Sequence, residues 1–149
     1  MISYITGDIL KYHISKNSYV DILTDGGVGY RVNIPASYTA LSKGERYSLF
    51  TYLHVREDTQ MLFGFQQEEE RKFFEQLISV SGIGPKTGLA ILSTFSRVKL
   101  EDMILKGDAK ALSKVPGLGI KGAQKIILEL RGKIDFDEKE ETEEQIIKE

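Results

Sequence analysis

A segment that occurs twice constrains this chain more than any other feature. Residues 77–92 and 112–127 both read as helix, Gly-apolar-Gly, helix, and the triplets Gly82-Ile83-Gly84 and Gly117-Leu118-Gly119 lie 35 residues apart. Glycine adopts backbone conformations closed to other residues and lets a ligand approach the main chain. We expect the apolar residue between the glycines to enter the core and fix each turn. The repeat therefore predicts two similar helical hairpins.

Each hairpin is predicted to bind an anion where its second helix begins. The first amide groups of a helix lack intrahelical acceptors and lie at the positive end of its dipole, and lysines follow both triplets. Such a site contacts phosphate rather than bases. The candidate DNA-binding residues are Gly82, Gly84, Lys86, Thr87, Gly117, Gly119, Lys121, Gly122 and Lys125.

Two other interpretations of these triplets compete with DNA binding. One Gly-x-Gly between helices favours an ordinary tight turn, but two copies with matching flanks favour a shared function. A nucleotide-binding loop at Gly84-Pro85-Lys86-Thr87 fails, because that motif requires glycine directly before Lys-Thr.

The charge distribution also points to the middle of the chain. The formal net charge of −2 divides into −3 for residues 1–70, +7 for residues 71–134 and −6 for residues 135–149. Such an asymmetry locates an electrostatic footprint better than the net charge does. A solvated helical surface is the alternative reading of the charge alone.

Composition excludes several classes of protein. The 149 residues include no cysteine, so disulfides and thiolate metal sites are excluded, and His13 and His54 cannot form a metal site alone. No apolar run approaches the roughly 20 residues that span a bilayer, and the N-terminus lacks the pattern of a signal peptide. We expect a cytoplasmic protein with no cofactor and no membrane partner, in which both histidines are structural or surface residues.

The first 65 residues read as about five short strands. Residues 2–10, 20–22, 28–34, 47–55 and 61–65 are rich in alternating apolar and β-branched types, and Asp25-Gly26-Gly27 predicts a hairpin turn. Five strands of this length fit a small closed barrel of the OB or SH3-like kind. The pattern leaves both barrels open.

From Gln66 the apolar spacing becomes helical. Glu68-Glu69-Glu70 suits the start of a helix, and Asp108 is a candidate N-cap for a short helix through Val115. The acidic residues 135–149 read as a flexible linker. The predicted fold class is α+β, with a barrel over residues 1–65, tandem helix-hairpin-helix units over 66–134 and a tail over 135–149.

Over residues 1–133 the chain resembles the RuvA family, the bacterial subunits that bind Holliday junctions in the RuvAB branch-migration complex. The resemblance rests on Met1-Ile2, the turn at residues 27–30, the run from Val55 to Phe65 and both hairpins. It implies an OB-type barrel and a four-fold homotetramer, alone or paired into an octamer, that binds four-way junction DNA on a basic face. It also implies a non-catalytic role in recombination, repair and the SOS response, with the RuvB motor and the RuvC resolvase as partners.

Glu57 and Asp58 match the family's acidic pin, which projects at the centre of the tetramer. Carboxylates near converging phosphates repel them, which would keep the crossover open. Without the resemblance, Glu-Asp in a turn reads as a solvated loop. A nuclease metal pair is a weaker alternative, because no third carboxylate or histidine stands at a suitable spacing.

The chain departs from the family pattern at two places. Ile120 stands where many relatives have a basic residue, so we expect the second hairpin to use Lys121, Lys125 and backbone amides with one cation fewer. The family also continues beyond the acidic linker into a small three-helix domain that engages the RuvB motor, and this sequence stops at Glu149. We therefore expect that motor-binding domain to be missing from these 149 residues.

Overall fold

The computed structural model describes the backbone of residues 1–148 and the side chains of residues 1–134. Five strands precede five helices in this part of the chain, which confirms the α+β class. The strands are β1 (Tyr4–His13), β2 (Tyr19–Leu23), β3 (Gly29–Asn33), β4 (Arg46–Val55) and β5 (Gln60–Phe65). The helices are α1 (Glu68–Ser79), α2 (Pro85–Thr94), α3 (Arg97–Lys106), α4 (Ala109–Leu112) and α5 (Gly119–Lys148).

The five strands form a closed barrel in the order β1-β2-β3-β5-β4. All neighbours are antiparallel except β3 and β5, which run parallel, and β1 closes the barrel by pairing with both β2 and β4. This order is the Greek-key arrangement of an OB fold, so the structure selects between the two barrels that the pattern left open. Strand β1 starts later and ends later than predicted, and its pairing with β2 shifts register between Ile9 and Lys11.

Strand β5 separates two hydrophobic cores. Leu62 lies in the core inside the barrel, whereas Phe63 and Phe65 belong to the core shared with the helices. Phe74 of α1 lies 5.3 Å from Phe63 and 5.0 Å from Phe65 between ring centroids. The alternation of Met61, Phe63 and Phe65 therefore marks one face of a strand that is covered on both faces, and the barrel packs directly against the first helix.

Hydrogen bonds also join the barrel to the helices. The hydroxyl of Tyr38 donates to the Glu70 carboxylate at 2.8 Å and accepts a 3.0 Å bond from the backbone N–H of Gln66. Burial raises the pKa of Tyr38 well above its usual range, so the hydroxyl stays a donor. The backbone N–H of Ala36 donates to the Ser93 hydroxyl at 2.9 Å. Both contacts tie the loop between β3 and β4 to the helical part.

The short helix α4 has a side-chain cap at its start. Asp108 is the N-cap, as predicted, and its carboxylate accepts a 3.1 Å bond from the backbone N–H of Ala111. The helix ends at Leu112 rather than Val115, because the chain turns there to enter the second hairpin.

Among the helices of the described residues, none is long and apolar enough to cross a membrane. A flexible acidic linker was predicted for residues 135–149, whereas the described backbone continues α5 to Lys148; the side chains of these residues lie outside the described part.

Candidate nucleic-acid interface

The first hairpin connects α1 to α2 through residues 80–84. The backbone N–H of Val80 donates to the carbonyl of Leu77 at 3.2 Å, and that of Ile83 donates to the carbonyl of Val80 at 3.0 Å. Gly82 takes a φ of +87°, a left-handed conformation that L side chains rarely adopt. Ile83 is only 7% exposed, so it anchors the turn in the core as predicted.

The second hairpin repeats this geometry between α4 and α5. The backbone N–H of Val115 donates to the carbonyl of Leu112 at 3.3 Å, and that of Leu118 donates to the carbonyl of Val115 at 3.1 Å. Gly117 has a φ of +84°, and Leu118 is 8% exposed. Each bond stands 35 positions after its counterpart, so the sequence repeat is also a repeat of backbone hydrogen bonds.

The last glycine of each triplet breaks this equivalence. Gly119 has a φ of +69°, but Gly84 has a φ of −86° and a ψ of 173°, which other residues adopt freely. The expectation that every triplet glycine serves a conformation closed to other residues is therefore wrong for Gly84. A Cβ added at any of the four glycines of the triplets would meet no atom within 4 Å. The hairpin tips are thus open for an anion to reach the backbone.

The first turn of α2 offers free donors. Pro85 has no amide hydrogen, and Gly88 is the first residue of the helix to bond back, to the carbonyl of Gly84 at 2.9 Å. The amides of Lys86 and Thr87 therefore have no intrahelical acceptor. The Thr87 hydroxyl also makes no hydrogen bond within the described part of the chain, unlike Ser93 and Thr94, which bond back to carbonyls of the same helix.

The predicted lysines are exposed and unpaired. Lys86 follows the first triplet, and Lys121 and Lys125 lie four residues apart near the start of α5, so they share a helix face. None of the three forms an ion pair among the described residues, whereas Lys106 pairs with Asp102 at 3.1 Å. Their charges are available to a ligand at both hairpin tips.

Glu57 and Asp58 occupy the tip of the hairpin between β4 and β5. The backbone N–H of Arg56 donates to the carbonyl of Thr59 at 2.9 Å and closes the turn. Both acidic residues are exposed, and neither forms an ion pair within the described residues. The turn therefore projects two uncompensated carboxylates from the barrel.

Comparison with known proteins accounts for both halves of the chain. The profile of the RuvA N-terminal domain matches residues 1–64, and the profile of the SAM-like helix-hairpin-helix tandem matches residues 74–133. Proteins named Holliday junction branch migration complex subunit RuvA are 50% identical over 115 residues in Dehalococcoides mccartyi and 45% identical over 136 residues in Neisseria meningitidis.

The chain belongs to the RuvA family. The matches cover 76% of this chain and 59% of the D. mccartyi protein, and 90% of this chain and 68% of the N. meningitidis protein. The chain therefore spans about three fifths to two thirds of the length of these relatives. A third relative, from Synechococcus elongatus, is 44% identical over 136 residues, with 90% of this chain and 66% of the relative covered.

Within this RuvA-family fold, Gly122 has a packing role that the sequence did not indicate. A Cβ added there would lie 2.9 Å from Cδ1 of Leu118 and 3.9 Å from Cδ1 of Ile83. The glycine therefore leaves room where the apolar anchors of the two hairpins approach each other. Among the candidate DNA-binding residues, Gly122 is the one whose small size is explained by contacts inside the protein.

Arg56 is a cation beside the candidate interface that sequence reasoning missed. It lines a groove of about 380 Å³ between β4 and the first hairpin, together with His54, Ile83 and Gly84, and Glu75 of α1 lines the same groove. Its Nε donates a 3.1 Å hydrogen bond to Nε2 of His54, which fixes the direction of the guanidinium. The only signal in the sequence was its position directly before Glu57-Asp58.

His13 is exposed and His54 is half-buried, and each makes an aromatic or polar contact. His54 accepts the bond from Arg56, and His13 stacks on Tyr19 with 5.6 Å between ring centroids. No group of three or more His, Cys, Asp or Glu residues that could hold a metal ion occurs in the described part of the chain. Glu57 and Asp58 thus have no third ligand there.

Proposed function

We propose that this chain is a DNA-binding subunit for four-way junctions. It binds the phosphates of the duplex arms and performs no covalent chemistry itself. The observation that carries the proposal is the pair of hairpins with the same backbone bonds, open glycines and unpaired lysines. Family membership supports it, because the relatives are named as subunits of a Holliday junction branch migration complex.

Each hairpin would hold one phosphate of the DNA backbone. At the first hairpin the phosphate oxygens would accept bonds from the amides of Lys86 and Thr87, the Thr87 hydroxyl and the Lys86 ammonium group. At the second, Lys121 and Lys125 supply the charge beside the triplet. Because these donors touch phosphate and not base edges, binding is independent of sequence. Arg56 adds a further cation next to the first site.

The acidic turn would select the shape of the DNA. A four-way junction has four arms, and a homotetramer with four-fold symmetry offers one subunit to each arm. Glu57 and Asp58 of every subunit then converge near the axis, where carboxylates repel phosphates. A junction can open around this charge, whereas a continuous duplex has to cross it.

The chemistry of branch migration is assigned to a partner. In this proposal the RuvB motor hydrolyses ATP and moves the DNA, the present chain positions that motor on the junction, and the RuvC resolvase acts on the same DNA. The setting is the cytoplasm, where recombination intermediates arise. Two tetramers facing each other across the DNA form the octameric version of the assembly.

The decisive experiment compares labelled four-way junction and linear duplex, each with and without magnesium. We expect tight binding of the junction, weaker binding of the duplex and no cleavage, with a tetramer or octamer in sedimentation. Equal affinity for both substrates would indicate a general helix-hairpin-helix module. Magnesium-dependent cleavage that disappears on Glu57→Gln with Asp58→Asn would indicate a nuclease.

A further inference from the structure

A second groove lies between the barrel and the first helical hairpin, on a surface that neither the triplets nor the acidic turn occupies. Its volume is about 390 Å³. The barrel contributes His13, Lys16 and Tyr19, and α2 contributes Lys86 and Leu89. The groove is therefore lined by basic side chains from both halves of the fold.

The charge of this groove is uncompensated. Lys16 and Lys86 are exposed and form no ion pair among the described residues, and no aspartate or glutamate of the described chain lines the groove. Asp21, on β2 like Tyr19, forms an ion pair with Arg31 at 2.8 Å. Residues 1–65 hold as many acidic as basic side chains, so two free cations without a carboxylate are a local departure from the balance of the barrel.

Hydrogen bonds of Ser18 support the turn that presents Lys16. Ser18 is only 1% exposed, and its hydroxyl donates to the carbonyl of Ser15 at 2.7 Å and accepts a 3.0 Å bond from the N–H of Ser15. The carbonyl of Ser18 accepts a 3.1 Å bond from the backbone N–H of Ile34. On the adjoining wall, His13 stacks on Tyr19. Three hydrogen bonds thus support the turn that carries Lys16, and an ordered turn lowers the entropic cost of binding a ligand.

The groove adjoins the first phosphate site. Lys86 lines the groove and also stands in the first turn of α2, two residues after Gly84. A phosphate held by the amides of that turn would therefore lie next to the groove, because Lys86 belongs to both. A nucleic-acid strand carries negative phosphates at regular spacing. Phosphates next to the one at the hairpin would therefore attract cations that lie beyond the hairpin.

We infer that this groove, with Lys16 as its central cation, binds the DNA backbone next to the phosphate held by the first hairpin. The barrel then contributes attractive contacts to a duplex arm as well as the repulsive charges of the acidic turn. The inference rests on the proposed function, because the first hairpin has to hold DNA for the strand to reach Lys16.

The first test compares Lys16→Gln with Lys43→Gln, which removes an exposed charge from the same barrel outside the groove. Junction affinity is measured at several salt concentrations. We expect Lys16→Gln to lower the slope of log affinity against log salt by about 0.9 for each phosphate that the variant no longer neutralises, and Lys43→Gln to leave the slope unchanged. Equal slopes for the two variants, with junction preference retained, would contradict DNA binding in the groove but not the proposed function.

The second test uses the absence of cysteine from the sequence. A Lys16→Cys variant, labelled with an azidophenacyl photocrosslinker, is irradiated with the labelled junction, and Lys43→Cys serves as the control. We expect DNA crosslinks from position 16 and not from position 43. Crosslinks from position 16 to a second protein chain instead of DNA would overturn the inference. A native chain that binds no DNA would overturn both the groove and the proposed function.

Discussion

Gly84 and Gly119 hold the same position in the two hairpins but differ in backbone conformation, with φ values of −86° and +69°. Neither has an atom within 4 Å of the place where a Cβ would stand. Gly119 therefore requires glycine for its backbone conformation, whereas at Gly84 the lack of a side chain only leaves the surface open.

This difference predicts unequal stability effects of one substitution. Gly84→Ala should leave the free energy of unfolding nearly unchanged, whereas Gly119→Ala should lower it by about 1–2 kcal/mol, because alanine is strained at a positive φ. Urea denaturation measures both. Gly84→Ala should nevertheless weaken DNA binding in fluorescence anisotropy, since its methyl group stands where the phosphate approaches. Unchanged DNA affinity in a stable Gly84→Ala protein would remove Gly84 from the interface.

Gly122 gives a second prediction, on the packing between the hairpins. Gly122→Val should lower the free energy of unfolding by about 1–3 kcal/mol, because its side chain overlaps Leu118 in a packed core. Gly132→Val is the matched control in the same helix, since a Cβ at Gly132 meets no atom within 4 Å. Thermal and urea denaturation compare the two. Equal stability of the two variants would show that Leu118 can move to accommodate the valine side chain without loss of stability.

The hairpin lysines give a third prediction. Replacing Lys86, Lys121 or Lys125 with glutamine should reduce the slope of log affinity against log salt by about 0.9 for each phosphate left without its cation. Lys106→Gln is the control, because Lys106 is paired with Asp102 on α3. Anisotropy titrations with duplex and junction at several salt concentrations provide the slopes. An equal reduction in the Lys106 variant would mean that overall charge, and not the hairpins, sets the affinity.

Local signals in the sequence predicted the parts of this structure that depend on neighbouring residues. The triplets predicted both turns and their buried anchors Ile83 and Leu118, and Asp108 predicted the start of α4. These features follow from glycine conformation and helix capping over a few residues. The predicted end of α4 was wrong, because the turn into the second hairpin overrides helix continuation at Leu112.

Features that depend on distant residues were not predictable in this way. The alternation of Met61, Phe63 and Phe65 indicated that one face of β5 is buried. In the structure the helices cover this face, and Leu62 on the opposite face lies in the barrel core. The roles of Gly122 and Arg56 depend on Ile83 and Gly84, which lie 39 and 28 positions away. Lys16 and Lys86 line the same groove only because the barrel and α2 lie on either side of it.

The acidic turn carries the prediction that bears most directly on selectivity. Glu57 and Asp58 are exposed at the tip of a closed turn and have no ion-pair partner in the described chain. Their neighbour Arg56 is held by His54 and faces the first hairpin. Charge placed this way is suited to repelling phosphate at one point while cations nearby attract it.

Neutralising the turn with Glu57→Gln and Asp58→Asn should therefore change selectivity more than affinity. In a tetramer the substitution removes a ring of negative charge near the axis, so linear duplex should bind about tenfold more tightly, because the repulsion it feels on crossing the centre is gone. Junction binding should stay similar or tighten slightly, since the open junction already avoids that charge. Glu45→Gln with Glu69→Gln removes two exposed charges elsewhere and controls for net charge. Competition titrations give the ratio of the two affinities. Loss of junction binding at constant duplex affinity would instead assign these carboxylates a structural or metal-binding role.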